Sequence, residues 1–133
     1  MKSAASKSRT KTLTEQELEI MKVVWELESA TVRDVYEALL ERKTVAYTTV
    51  MTMMNILESK GHLRKRAEGR AFLYEPTQPK SQLVGSMVED FVDRVFDGAA
   101  QSLVLSLVRE RKLSQEELSE ISKLIASVPE DAP

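Results

Sequence analysis

The run Ala46-Tyr47-Thr48-Thr49-Val50-Met51-Thr52-Met53-Met54-Asn55-Ile56-Leu57, closed by Lys60-Gly61, constrains this chain more than any other stretch. Apolar Val50, Met53, Met54 and Leu57 recur at helical spacing, while Thr48, Thr49, Thr52, Asn55 and Ser59 fall on the other side. Such a helix buries one face and leaves a polar, uncharged one outside. Gly61 stands where a left-handed residue ends a helix. Leu63 to Arg66 and Arg70 to Glu75 then read as two short strands around Glu68-Gly69, a hairpin carrying Arg64, Lys65, Arg66 and Arg70.

Upstream, Thr14-Glu15-Gln16-Glu17 is a capping box, so a helix starts there and runs to about Glu28. Leu18, Met21, Val24 or Trp25, and Leu27 form its apolar face. Trp25, in register with that stripe, reads as a core anchor. Thr31-Val32-Arg33-Asp34 repeats the start signal, and Val32, Val35, Tyr36, Leu39 and Leu40 make a second short amphipathic helix ending near Arg42. Two short helices with a tight link are a helix-turn-helix by spacing, and the hairpin directly after them supplies a wing.

Composition narrows the chemistry. The chain has no cysteine, which removes disulfides, thiolate metal sites and thiol nucleophiles and fits a reducing cytosol. No stretch approaches the roughly 20 apolar residues of a membrane span, and residues 1–12 are too polar for a secretory signal, so a cytoplasmic protein without membrane insertion is expected. The overall charge is slightly negative, but its distribution is uneven. Residues 1–74 carry 13 Lys/Arg against 10 Asp/Glu, and residues 75–133 carry 6 against 11. The positive charge gathers in the arm (Lys2, Lys7, Arg9, Lys11) and around the hairpin, where a polyanion can touch. The single histidine, His62, has no second His or Cys to share a metal, and reads as a surface or phosphate-contacting imidazole.

Behind the hairpin, Pro76-Thr77-Gln78-Pro79 breaks the chain. From Gln82 a long helix carries Leu83, Val84, Met87, Val88, Phe91, Val92, Val95 and Phe96, until Asp97-Gly98 interrupts it. Ala99, Ala100, Leu103, Val104, Leu107 and Val108 give a second helix, and Leu118, Ile121 and Ile125 a third behind the capping box Ser114-Gln115-Glu116-Glu117. Three helices of this length cannot cover such wide stripes among themselves. At about 25 cal/mol per Å² of apolar surface, leaving them wet is costly, and a second copy is the economical cover. A patch that meets its own copy closes around a two-fold axis. The expected dimer contacts are Leu83, Met87, Phe91, Val95, Leu103, Leu107 and Ile121. The expected fold is therefore mainly α, with a disordered basic arm (1–12), a winged helix-turn-helix DNA-binding domain (13–76), a three-helix dimerisation domain (77–126) and a disordered tail (127–133).

The residues Leu13 to Met21 with Val24-Trp25, Thr31 to Val35, Ala46 to Val50 with Thr52 and Leu57, Lys60-Gly61, and Glu68 to Tyr74 together resemble the BlaI/MecI family of penicillinase repressors. The resemblance runs from about Leu13 to Ile125 and is densest in the front half. It implies a winged-helix repressor that binds an inverted repeat of double-stranded DNA as a homodimer, needs no cofactor, and is relieved when an antibiotic-sensing membrane metalloprotease triggers its cleavage. Two positions depart from the family pattern. Members often carry Arg where Ile56 stands, and the Asn-Phe bond cut in the best-known members corresponds here to Ser106-Leu107.

Physical chemistry assigns roles within that expectation. Thr49 and Thr52, three apart on one face, are the candidates for base contact, through hydroxyls and through methyls that pack on thymine. Tyr47 and Thr48, at the helix start, suit phosphate, where backbone N–H groups and the dipole favour an anion. Lys60, Arg64, Lys65, Arg66 and Arg70 are the backbone contacts, while Phe72 and Tyr74 alternate on one side of the hairpin as sheet anchors. An enzyme is not expected, since there is no phosphate-binding glycine loop, HExxH or nucleophile elbow. The remaining alternative is a winged-helix adaptor that binds protein, because fold alone does not fix function.

Overall fold

The computed structural model describes residues 13–128, and the basic arm and the last residues of the tail lie outside the described residues. In chain order the elements are α1 (Glu15–Leu27), α2 (Val32–Leu40), α3 (Tyr47–Ser59), β1 (Leu63–Glu68), β2 (Ala71–Pro76), α4 (Lys80–Phe96), α5 (Ala100–Arg109) and α6 (Gln115–Ser127). The chain divides into two compact units, the first ending at Asp90 and the second beginning at Phe91, so the division falls inside α4, beyond the proline break at Pro76–Pro79. No described helix is long and apolar enough to cross a membrane.

Local signals start three of these helices. In α1 the Thr14 hydroxyl accepts from Glu17 N at 3.0 Å and the Glu17 carboxylate accepts from Thr14 N at 3.0 Å. Thr31 with Asp34, and Ser114 with Glu117, repeat the reciprocal pair at α2 and α6. Helix α3 ends as its glycine requires: Gly61 has φ +88°, a left-handed conformation that a side chain would strain.

The first unit has one contiguous core. Ile20, Met21, Val23 and Val24 of α1 meet Val35 and Leu39 of α2, Val50, Met54 and Leu57 of α3, and Leu63 and Tyr74 of the hairpin. Two residues expected in that core are outside it, since Leu27 and Leu40 are exposed at the ends of α1 and α2. There the turn of each helix has carried the apolar stripe past the edge of its neighbours. Trp25 is half-buried, and its ring N–H donates to the Gln78 carbonyl at 3.2 Å, which ties α1 to the chain beyond the hairpin.

The hairpin is antiparallel with Lys65 opposite Tyr74, Arg64 opposite Glu75 and Glu68 opposite Ala71. Its turn is Gly69-Arg70, with Gly69 at φ +63°, the sign that the first central position of a tight type II′ hairpin turn demands. Arg70 is therefore in the turn and not the first residue of β2. Ala30 adds an isolated bridge to Tyr74, with N–H···O distances of 2.9 and 2.8 Å, so the linker between α1 and α2 serves as a minimal third strand.

The second unit is different in kind. Helices α5 and α6 contain no buried residue, and Val92 is the one apolar side chain there that is buried among the described residues. Phe91 and Phe96 meet edge to face at 5.9 Å, yet Phe91, Val95, Val104, Leu105, Leu107, Val108, Leu124 and Ile125 are all exposed.

Candidate nucleic-acid interface

On α3 the buried line Val50, Met54 and Leu57 fixes what faces outward. At about 100° per residue, Thr48, Thr52, Asn55 and Ser59 form the opposite stripe. Thr48 and Thr52, one turn apart, are both exposed. Thr49 is exposed too but lies further round, beside Gln16, Glu19 and Lys43 in a small cleft against α1. Tyr47 and Met51 lie on the hairpin side. With Asn55, Lys65, Arg70 and Phe72 they line an open groove of about 510 Å³ between α3 and the hairpin. The Tyr47 ring is held there by an edge-to-face contact with Tyr36 at 5.4 Å and by the Arg33 guanidinium at 5.9 Å.

The start of α3 differs from those of α1, α2 and α6. Its N-cap is Ala46, which makes no side-chain cap bond. The first-turn N–H groups therefore keep the positive end of the helix dipole open to an anion from outside.

The hairpin cations are less free than their number in the sequence implies. Arg64 lies 3.5 Å from Glu75, and Arg66 bridges Glu68 at 3.0 Å and Glu75 at 3.2 Å. These arginines are more than half exposed, so each pair contributes only about 0–1 kcal/mol and a phosphate can displace it. Lys65 stands 4.7 Å from the Phe72 ring centre and 5.9 Å from that of Tyr74. Arg70, at the tip, has no ion-pair partner among the described residues. The two aromatics expected as sheet anchors part company: Tyr74 is buried, but Phe72 is half exposed on the groove wall. The hairpin projects past the core at Phe72, so the same strand face is covered at one end and open at the other.

At the helix–hairpin junction Lys60 already has a carboxylate partner, and His62 corrects the expectation of a surface imidazole. The Lys60 ammonium lies 3.0 Å from the Glu17 carboxylate, which is itself buried, so this cation braces α1 against the end of α3. His62 is not on the surface. It is 2% exposed, with Nε2 lacking any partner, and its backbone holds the junction by accepting from Thr77 N at 3.0 Å and donating to the Leu57 carbonyl at 2.9 Å. Burial pushes the His62 pKa below its ordinary value, the Lys60 charge pushes it the same way, and Glu17 opposes both. The imidazole is thus a neutral core group.

Three residues of this face carry no contact role in the sequence expectation: Arg33, Met51 and Asn55, the last placed there only on the polar side of the helix. Asn55 is the most consequential, because its Oδ1 accepts from the Tyr74 hydroxyl at 2.9 Å and from Lys65 Nζ at 3.3 Å. A buried tyrosine hydroxyl requires a polar partner, but which residue supplies it is a long-range fact that periodicity does not carry.

Of the expected dimer contacts, Leu83 is fully buried within its own chain and is withdrawn from any surface open to a second copy. Phe91, Val95 and Leu107 are exposed, and Met87, Leu103 and Ile121 are partly so. Ser106 and Leu107 lie inside α5, in regular helix.

Residues 13–127 match the sequence model of the penicillinase repressor family. The penicillinase repressor of Bacillus licheniformis is 32% identical over 113 residues, which covers 85% of this chain and 88% of that protein. The methicillin resistance regulatory protein MecI of Staphylococcus aureus strain N315 is 25% identical over 118 residues, 89% of this chain and 96% of its own. Among solved structures, MepR, a transcription regulator of the Staphylococcus aureus multidrug efflux pump MepA, aligns with a TM-score of 0.50 at 19% identity over 93% of this chain and 87% of that one, a likeness of fold alone. With its helix-turn-helix and wing, this chain belongs to the penicillinase-repressor, or BlaI/MecI, family of winged-helix transcriptional repressors.

Proposed function

We propose that this chain represses transcription by binding an inverted-repeat operator as a homodimer, with α3 in the major groove and the β1–β2 wing on the backbone. The observation that carries the reading is the outer face of α3: an uncapped helix start leading into a threonine stripe, flanked by a wing whose cations stand in weak, displaceable pairs. Thr49 and Thr52 offer hydroxyls and methyls to base edges, Thr52 from the middle of the outward stripe. The start of α3 at Tyr47 and Thr48, with Arg64, Lys65, Arg66 and Arg70, serves phosphate, supplying most of the affinity and its salt dependence.

The dimer half of the reading rests on the second unit. Its Phe91, Val95, Leu107 and Ile125 are between about a third and two-thirds exposed, so covering each fully is worth about 1 kcal/mol, and a second copy supplies that cover symmetrically. Repression is then relieved by anything that parts the two copies. If the trigger is a cut at Ser106-Leu107 in the manner of the family's protease pathway, α5 must open locally first, because the bond lies within regular helix.

The test is a titration of the full chain against duplexes from its own promoter region, with scrambled duplexes of the same composition as the control. A repressor prefers a palindromic segment by about 10³-fold or more. An adaptor binds both alike. In the same assay, Thr49→Ala with Thr52→Ala lowers discrimination between operator and scrambled duplex more than it lowers binding to either.

A further inference from the structure

We infer that Asn55 is a specificity-determining residue that reads the operator as a one-way hydrogen-bond donor, and that Tyr74 and Lys65 are the positioning residues that hold it so. The inference rests on the reading of α3 as the helix that enters the major groove.

A free asparagine amide offers an acceptor and a donor side by side, which matches the N6 and N7 edge of adenine and makes asparagine an adenine reader by default. In this chain the acceptor is already spent. The Tyr74 hydroxyl and the Lys65 ammonium both lie within hydrogen-bond distance of Asn55 Oδ1, at 2.9 and 3.3 Å. An ammonium has no lone pair to give, so the atom that faces Lys65 has to be the oxygen, and the amide cannot be turned over without losing that bond. A carbonyl oxygen has two lone pairs, and two donors fill them. Burial pushes the Tyr74 hydroxyl pKa up, with Glu58 and Tyr47 adding to it, so the phenol remains a donor at neutral pH.

The other end of the amide is open. Asn55 is half-buried on the groove wall, its nitrogen donates no hydrogen bond among the described residues, and it is not among the buried polar atoms that lack a partner. It therefore reaches solvent. Asn55 stands two turns after Thr48 and three residues after Thr52 on the outward stripe of α3, so whatever those threonines approach, the Asn55 N–H groups approach as well. Two hydrogens with no companion acceptor suit a base edge made only of acceptors. In the major groove that is guanine, through N7 and O6, and secondarily thymine O4; adenine and cytosine present an exocyclic amine that meets a spent oxygen. The brace thus inverts the usual asparagine preference.

The experiment measures binding of the full-length chain to a set of operator duplexes in which every base pair of one half-site is changed singly. Asn55→Ala is expected to flatten the preference at one position, where guanine or thymine was favoured by about tenfold, and to leave the slope of log K against log salt unchanged. Asn55→Asp keeps the oxygen that Tyr74 and Lys65 require, so the wing stays braced while both donors are lost, and the same position flattens in a variant whose melting is close to that of the parent chain. Tyr74→Phe frees one lone pair and raises acceptance of adenine there. A uniform loss across all duplexes would make Asn55 a phosphate contact, and a parent chain that already favours adenine at the affected position would mean the amide oxygen is free; either result overturns the inference. If the parent chain discriminates but Asn55→Ala keeps its full profile, this inference alone fails. If the parent chain discriminates nothing, the reading of α3 fails with it.

Discussion

The two units of this chain solve the problem of burial differently. In the first, helices α1 to α3 and the hairpin close around one core, and nearly every large apolar side chain on the inner faces is fully covered. In the second, the helices carry equally apolar stripes that cover almost nothing of themselves, with Leu124 and Ile125 about two-thirds exposed. Sequence periodicity looks alike in both, because a stripe records only that a face prefers to leave water. What differs is the cover: the chain itself supplies it in front, while behind the apolar faces stand open to solvent. The front unit closes its own core, and the rear one is, on the function proposed above, half of an interface.

Breaking the rear surface gives the largest expected effect. Phe91→Glu puts a charge on an exposed apolar face, so the single chain tolerates it but a dimer does not. Sedimentation is expected to report a monomer, and operator affinity to fall by about 10²-fold or more as the second head loses its tether. A surviving dimer would move the interface elsewhere. Breaking the front core acts on stability instead. Leu57 is fully buried, and Leu57→Ala is expected to cost about 3 kcal/mol in denaturant titration without altering the oligomeric state at concentrations where the chain remains folded.

Smaller effects sharpen the picture of the junction that joins core to wing. Glu17→Gln keeps the cap on Thr14 but removes the charge that holds Lys60, for an expected loss of about 1–2 kcal/mol. His62 adds a pH dependence whose sign follows from its neutral, buried state. Because its folded pKa is depressed, it contributes stability that is fully present above its unfolded pKa of about 6.5 and is lost as pH falls through the folded value. Thermal melts between pH 7.5 and 5 are expected to show that loss in the parent chain and less of it in His62→Gln. The smallest effect belongs to the wing: Arg70→Ala is expected to reduce the salt slope by about one, and Arg66→Ala by less, since Arg66 gives up two carboxylate partners to reach a phosphate.

Much of the fold is legible in the sequence because its signals are local. Capping boxes at Thr14, Thr31 and Ser114, glycines at 61 and 69, and the alternation from Leu63 to Tyr74 each act within a few residues. What escapes is long-range. Nothing in the sequence shows that Glu17 caps its helix and also anchors Lys60, that Ala30 bridges Tyr74, or that Asn55 is held by the wing. Leu83 escapes for the reason that separates the two units, since a stripe cannot say whose surface covers it. His62 reads wrongly because its setting is made by a junction of elements and not by its neighbours in sequence. The wing reads as freely basic because the sequence does not show that Glu75 lies across from Arg64.

The claim that two reading heads are held at a fixed spacing by the rear helices is tested most directly by the spacing itself. In a titration of the full chain against a selected palindrome, inserting about 5 bp between the half-sites turns one of them to the opposite side of the duplex, and inserting about 10 bp returns it one helical turn further along. Affinity is expected to drop by about 10²-fold with the first insertion, to the level of a single half-site. Equal affinity for the parent and the half-turn duplex would contradict a dimer of fixed geometry.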